Sequence, residues 1–174
     1  GRIHRLVAVV GAYIGVALVF FWPLPLHLTT KLTGPVGDDT GIYVWNLWHF
    51  RHQVLRGRPP FFTDVVLSLT QGTDLSLHNY TAFADILAFP LIPLFGLTAT
   101  FNIICIGLTV LTAVCTYLLA LRTIGRAPEA WLTGAAFAFS PVLVTRSTGH
   151  FSLVAAAPLP VFVLCLLNAG RTRN

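Results

Sequence analysis

Four apolar runs, at residues 6–26, 97–121, 131–144 and 151–167, restrict what this 174-residue chain can fold into. A helix of about 20 apolar residues crosses the roughly 30 Å hydrocarbon core of a bilayer. Hydrophobic residues make up 55% of the chain and charged residues 10%, so a water-soluble fold would lack the polar side chains to cover its surface. We therefore expect one all-α polytopic transmembrane bundle with about four spans and a long loop between the first two.

The arginines predict how the spans are oriented. Positive charges in short loops and at chain ends favour the cytoplasmic side of the membrane. Six of the eleven basic residues meet that condition if both ends of the chain are cytoplasmic: Arg2, Arg5, Arg122, Arg126, Arg171 and Arg173. The loop at residues 27–96 then lies outside the plasma (inner) membrane. The basic residues form no patch with interleaved aromatic side chains, so nucleic acid is not an expected partner.

Prolines predict where the apolar segments end or bend, because proline lacks the backbone N–H that a helix interior requires. Pro23 suits the exit of the first span, and Pro141 is expected to kink or end the third. Residues 86–95 form an apolar segment of about ten residues with two prolines, too short to cross the bilayer. We expect that segment to lie at the membrane surface or to re-enter it.

The external loop gathers most of the titratable side chains. It holds five of the six acidic residues and four of the six histidines: Asp38, Asp39, Asp64, Asp74, Asp85, His27, His49, His52 and His78. Over residues 40–56, apolar residues recur at helical spacing, which predicts an amphipathic helix lying in the membrane interface. Its polar side, which includes His49 and Gln53, is expected to face solvent. Asp38 or Asp39 would begin this helix, where a carboxylate can cap free backbone amides.

Several short motifs resemble those of bacterial polytopic membrane proteins of the GT-C glycosyltransferase superfamily. In the external loop they are residues 37–48 (GDDTGIYVWNLW), 58–62 (RPPFF) and 72–75 (GTDL); further along they are residues 138–141 (AFSP) and 149–154 (GHFSLV). The resemblance extends from the first span to the fourth. It implies a GT-C-like N-terminal module and sugar transfer from a polyprenyl-phosphate donor to a glycan, lipid or protein acceptor on the outer side of the membrane.

The resemblance also implies roles for particular residues. In such enzymes an aspartate of the first external loop acts as general base or metal ligand, and its spacing to Tyr43 and Trp45 matches Asp39 first and Asp38 second. This chain has Asp-Asp where many relatives have Asp-Glu. General chemistry agrees, because a carboxylate can take the proton of an attacking hydroxyl and adjacent carboxylates can hold a divalent cation. The sequence does not identify the metal.

Six further side chains are predicted to contact substrate from the same side of the membrane: Arg146, His150, His78, Arg51, Arg56 and Arg58. The arginines would stabilise the leaving polyprenyl phosphate, and Arg146 is favoured because residues 146–150 form a short turn that faces the loop. Each prediction has a structural alternative. Asp39 can serve as a helix cap alone, the histidines can be interfacial or solvated, and the loop arginines can contact lipid phosphates.

Two functions from different classes stay open at this point. GT-C enzymes usually have more spans than this chain, so one is a catalytic glycosyltransferase of which the chain is the N-terminal part, with further spans or subunits. The other is a non-catalytic membrane subunit or scaffold that binds lipid or a protein partner through the external loop. A transporter ranks below both, since no span centre carries the charged side chain that ion-coupled transport usually requires.

Overall fold

The computed structural model describes residues 1–34, 38–64, 72–147 and 149–171, which are mostly helical. The α-helices of these residues are α1 (Arg2–Phe20), α2 (Thr40–Leu55), α3 (Ala82–Ala88), α4 (Ile92–Phe95), α5 (Leu97–Ile124), α6 (Ala127–Ala138), α7 (Pro141–Ser147) and α8 (Pro158–Arg171). Two short strands, β1 (Phe62–Thr63) and β2 (Thr73–Asp74), pair antiparallel, which the all-α prediction did not include. Gly37 of the external motif and Arg173, one of the orientation charges, lie outside the described residues.

Helices α1 and α5 have the length and composition of membrane spans. In α1, residues Ile3–Phe20 have a mean hydropathy of 2.0, and an 18-residue window within the 28 residues of α5 reaches 2.3. Both coincide with expected spans, although α1 ends at Phe20 rather than at residue 26. The helix ends early because Pro23 and Pro25 cannot continue it, and a 3-10 turn follows at Leu24–His27.

The third and fourth apolar runs form shorter helices than expected. Helix α6 ends at Ala138 and α7 begins at Pro141, because the residue before a proline avoids the helical conformation while proline itself fits the first helical position. Helix α8 begins at Pro158 rather than at residue 151. With 12 and 14 residues, α6 and α8 rise about 18 and 21 Å, each less than the hydrocarbon thickness. The break at Pro141 is confirmed, and the two crossings expected of these runs stay predictions.

The apolar segment at residues 86–95 is divided between α3 and α4, with Pro90 between them. Neither helix is long enough to cross a bilayer, which agrees with the expected surface position. Helix α4 ends at Phe95, and Gly96 with its positive φ of 78° separates it from α5. The segment therefore lies at the beginning of the longest candidate span.

Helices α1, α5 and α6 meet at a contact centred on Tyr13. This side chain is fully buried, its hydroxyl donates a hydrogen bond of 2.8 Å to the Trp131 carbonyl, and its ring stacks on Trp131 with 5.4 Å between centroids. A Cβ atom added at Gly134 would overlap the Tyr13 hydroxyl and lie 2.6 Å from the Ala113 carbonyl oxygen. Small residues allow such close helix approach within membranes, so Gly134 sets the distance between these helices.

Asn102, near the start of α5, attaches the beginning of the external loop to the bundle. Its side-chain amide is buried and donates hydrogen bonds of 2.8 Å to the Leu28 carbonyl and 2.7 Å to the Lys31 carbonyl. These two bonds satisfy backbone carbonyls that follow α1, so the segment after α1 is fixed against the start of α5.

Helix α2 confirms the predicted helix, but the prediction that its polar side faces solvent is wrong. Asn46, His49 and Gln53 are at most 2% exposed. His49 Nε2 and Gln53 Nε2 donate hydrogen bonds of 3.1 and 2.9 Å to the Phe62 carbonyl, and burial lowers the pKa of His49. Residues around β1 cover this side of the helix, and His49 and Gln53 provide the hydrogen-bond donors for the Phe62 carbonyl of that strand. The outward side instead carries apolar residues, among them Trp48 at 37% exposed.

Candidate functional site

Asp39 immediately precedes α2 and faces His150. The Asp39 carbonyl begins the helix by accepting the Ile42 N–H at 2.9 Å, but its carboxylate makes no capping hydrogen bond. Instead the carboxylate oxygen Oδ2 lies 4.0 Å from His150 Nδ1, and both side chains are 51% exposed. The position predicted for a helix cap is therefore confirmed, whereas the carboxylate itself is directed to the histidine and accessible to a ligand.

Asp38 lies against the same turn, at Gly149. A Cβ atom at Gly149 would lie 3.0 Å from both carboxylate oxygens of Asp38, so the carboxylate packs directly on the glycine. The backbone N–H of Asp39 donates to Asp38 Oδ1 at 3.3 Å. We call Asp38, Asp39 and His150 the acidic cluster. Among the described residues, no group of three or more His, Cys, Asp or Glu side chains is arranged as a metal site, and the divalent cation stays a prediction.

A cavity of about 650 Å³ lies behind the turn that carries His150. Its walls are mostly apolar, and Arg146 is the one charged residue among the described residues that line it: Phe137, Ser140, Val142, Leu143, Arg146, Ser152, Ala155, Ala156, Pro158 and Leu159. The His150 N–H donates a 2.8 Å hydrogen bond to the Arg146 carbonyl. This bond closes the turn, so the arginine of the cavity and the histidine of the acidic cluster are fixed relative to each other. We call this space the Arg146 cavity.

A network of polar side chains connects α2 to the Arg146 cavity. The Tyr43 hydroxyl lies 3.5 Å from Ser152 Oγ and accepts a 2.5 Å hydrogen bond from the Asn79 side-chain amide. Asn46 donates to the Asn79 carbonyl at 3.1 Å and accepts from His78 Nε2 at 3.1 Å. We call these five residues the Tyr43 network. His78 is predicted from the sequence to contact substrate. In the structure it belongs to the Tyr43 network and packs edge-on against Trp45, so its side chain contacts α2.

The loop arginines lie away from the acidic cluster. Arg51 follows Asp39 by twelve positions of α2, a rise of about 18 Å, and it lines a separate cavity together with Arg56. Arg58 forms an ion pair of 3.3 Å with Asp64, and both side chains are more than half exposed. Of the four arginines expected to contact the leaving phosphate, the structure brings Arg146 beside the cluster and does not bring the other three there.

A family model described as a predicted membrane protein (DUF2079) matches residues 39–174, which is 136 of the 174 residues. The chain belongs to the DUF2079 family. The DUF2079 match includes Asp39, Arg146 and His150, and it begins after Asp38 and after α1. No curated protein and no solved structure matches the chain. The family description agrees with the mostly helical structure and with the two candidate membrane spans found among the described residues.

One carboxyl of this DUF2079 chain is buried outside the acidic cluster. Asp85 in α3 is 1% exposed, and neither of its oxygens has a hydrogen-bond partner among the described residues. Burial raises its pKa to about 7. The nearby Tyr80 hydroxyl donates to the Pro60 carbonyl at 3.0 Å, and burial together with the charge of Asp85 raises the pKa of Tyr80. Asp85 is therefore set apart from the half-exposed carboxylates that could reach a substrate.

Sequence reasoning did not identify the Tyr43 network as part of the site. Ser152 falls within the motif at residues 149–154 and Asn46 within the helical stretch at residues 40–56, but neither pattern predicts a contact between the two segments. The available signal was the polar side chain of Asn46 within the aromatic stretch of α2, because a polar group among apolar residues is usually hydrogen-bonded when buried. Its partner could not be read from the sequence, since Asn79 is distant along the chain.

Proposed function

We propose that this protein is a membrane glycosyltransferase that moves a sugar from a polyprenyl-phosphate donor to an acceptor on the extracytoplasmic side. The observation that carries the proposal is the half-exposed Asp39 carboxylate, which faces His150 across 4.0 Å beside the Arg146 cavity. A carboxylate left free of capping hydrogen bonds is available to accept a proton. Membership of a family of predicted membrane proteins agrees with a lipid-linked substrate and leaves the reaction itself as a proposal.

In the proposed reaction, Asp39 takes the proton of the acceptor hydroxyl as that oxygen attacks the anomeric carbon of the sugar. The bond between the anomeric carbon and the phosphate oxygen breaks, and the polyprenyl phosphate leaves with the electron pair. Arg146 stabilises the charge that develops on the leaving phosphate, because a guanidinium donates charge-assisted hydrogen bonds to phosphate oxygens. His150 orients the Asp39 carboxylate from its position 4.0 Å away.

The Arg146 cavity supports a lipid-linked donor. Its volume of about 650 Å³ and its mostly apolar walls suit the first isoprene units of a polyprenyl chain. Arg146, the one charged residue among the described residues of its wall, is available to bind the phosphate. Ser152 lines this cavity and also contacts Tyr43 of α2. Through this contact, the residues proposed to bind the donor phosphate and the residue proposed to act as base are held in one connected arrangement. A transfer reaction needs such positioning because a misplacement of about 1 Å can slow it markedly.

The test is sugar transfer by the full-length protein in vesicles supplied with polyprenyl-phosphate sugars. We expect Asp39→Asn to lower the transfer rate by about 100-fold or more, the contribution typical of a general base. Asp64→Asn is the matched control, since it removes the same charge from an exposed carboxylate that pairs with Arg58. A wild-type rate of sugar transfer in the Asp39→Asn variant would show that Asp39 is not the general base and would favour the scaffold function. Equal losses in both variants would show that only loop charge matters.

A further inference from the structure

A second cavity, of about 200 Å³, lies at the C-terminal half of α2. It is lined by Trp48, Arg51, His52, Leu55, Arg56 and Ile92. Two of these residues carry a guanidinium and one an imidazole, while none of the described lining residues is acidic. We call it the cationic pocket. Its volume admits a phosphate ester headgroup and not a long chain.

One arginine of the cationic pocket has a buried donor that lacks an acceptor in the part of the chain that the structure describes. Arg51 Nε is buried and has no hydrogen-bond partner among the described residues. The Arg51 guanidinium carbon lies 5.9 Å from the centre of the Phe89 ring, which holds the side chain in place. A buried guanidinium N–H without an acceptor is costly, so this side chain is arranged to receive an anion.

Aromatic stacking gives the pocket a fixed wall. The His52 ring stacks on Trp48, with 4.7 Å between ring centroids and 24° between ring planes. His52 thus lines the same pocket as the two arginines. Amphipathic indole rings favour the boundary between hydrocarbon and headgroups, which suits Trp48 at 37% exposed.

The pocket borders the start of a candidate membrane span. Ile92, one of its walls, precedes the first residue of the candidate span α5, Leu97, by five positions and packs against the core that includes Phe101 of that span. Leu55 on the other wall is 60% exposed, and Leu94 beyond it is 72% exposed. A cationic site bordered by exposed apolar side chains at the end of a span is positioned for a lipid headgroup.

We propose that the cationic pocket binds the phosphate group of an anionic membrane lipid through Arg51 and Arg56. Its wall residue Arg51 is about 18 Å along α2 from Asp39, so this lipid is distinct from the sugar donor. The proposal does not depend on the proposed function. The bound lipid would hold the C-terminal half of α2 at the membrane surface while the N-terminal end presents the acidic cluster.

The test measures lipid retained by the purified full-length protein in neutral detergent, with phosphatidylglycerol as the probe and native mass spectrometry as the readout. We expect the double variant Arg51→Gln, Arg56→Gln to bind phosphatidylglycerol about 30-fold more weakly, the effect of removing two interfacial arginines. The matched control is Arg58→Gln, which removes an exposed arginine already paired with Asp64 and should retain wild-type affinity. The single variant Arg56→Gln, at the exposed end of α2, should lose about fivefold without affecting folding.

Three results would overturn the proposal. Equal losses in the double variant and in Arg58→Gln would show attraction by overall charge. Wild-type binding of phosphatidylglycerol by both the single variant Arg56→Gln and the double variant would show that the pocket binds no phosphate. Competition by inorganic phosphate as strong as by phosphatidylglycerol, with neutral phosphatidylcholine inactive, would identify a free-phosphate site. In the expected result phosphatidylglycerol binds and inorganic phosphate competes only weakly.

Discussion

The unpaired carboxyl of Asp85 makes the stability of the fold depend on pH in a defined direction. Burial raises its pKa from the ordinary value of 3.8 to about 7. Between these two values the folded protein binds more protons than the unfolded chain, so the free energy of unfolding falls as the pH rises. Integrated from about pH 5 to about pH 8, the single carboxyl lowers the free energy of unfolding by about 2.5 kcal/mol.

Replacement of Asp85 by Asn removes this dependence. The amide cannot ionise, and at low pH it resembles the protonated carboxyl, since both are neutral polar groups without a partner. Because the unfolded carboxyl is already ionised at pH 5, we expect Asp85→Asn to be more stable than the wild type by about 1.5 kcal/mol at pH 5 and by about 4 kcal/mol at pH 8. The difference between the two proteins isolates Asp85, because the other titratable groups contribute equally to both.

Equilibrium unfolding in detergent micelles, followed by tryptophan fluorescence at several pH values, measures this difference. Asp64→Asn is the control, since its carboxylate is exposed and its removal should leave the pH dependence of the wild type in place. Parallel pH profiles for the wild type and Asp85→Asn would refute the reasoning. They would mean that the Asp85 carboxylate gains a partner that offsets its burial.

Further predictions concern the acidic cluster, the helix contact and the orientation of the loop. Gly149→Ala places a methyl group 3.0 Å from the Asp38 carboxylate oxygens, so the rate of sugar transfer should fall about tenfold with little change in stability. The control Gly41→Ala, whose methyl group meets open space, should not affect the transfer rate. Equal rates in the two variants would mean that the Asp38 carboxylate needs no fixed position. Gly134→Ala should lower the unfolding free energy by about 1–3 kcal/mol because the helices must separate, and Gly107→Ala, with no neighbour within 4 Å, should not; thermal unfolding distinguishes them. Asp39→Cys, in a background without native cysteines, should react with a membrane-impermeant maleimide added to intact cells, and labelling only after lysis would contradict the extracytoplasmic loop.

Local patterns in the sequence were sufficient for the helices that depend on length and periodicity. The periodicity at residues 40–56 located α2 to within one residue, and the long apolar run located α5. Proline chemistry located the break before α7. The early end of α1 was missed because hydropathy continues past Phe20 although the backbone can no longer remain helical.

The orientation of α2 and the grouping of its charges could not be predicted, because both depend on distant contacts. Polar side chains at helical spacing suggest a solvated face, yet the residues around β1 lie over that face and His49 is fully buried. The sequence predicts that Arg51 and Arg56 contact the same substrate as Asp39, because they share its loop. Once the loop is a straight helix, its rise separates them by about 18 Å or more. The contact between Asp39 and His150 likewise depends on tertiary packing, because the two residues are far apart in the sequence.

The buried polar face of α2 accounts for how the acidic cluster is positioned. A helix that lay freely on a membrane would hold Asp39 only loosely, since the Asp39 side chain makes no capping bond. Tyr43 is one turn further along and is fixed by Asn79 on one side, with Ser152 at 3.5 Å on the other. Ser152 follows His150 by two residues, so the contact that fixes α2 also fixes the histidine. Loss of the Tyr43 hydroxyl should therefore separate the Asp39 carboxylate from His150 without touching either residue.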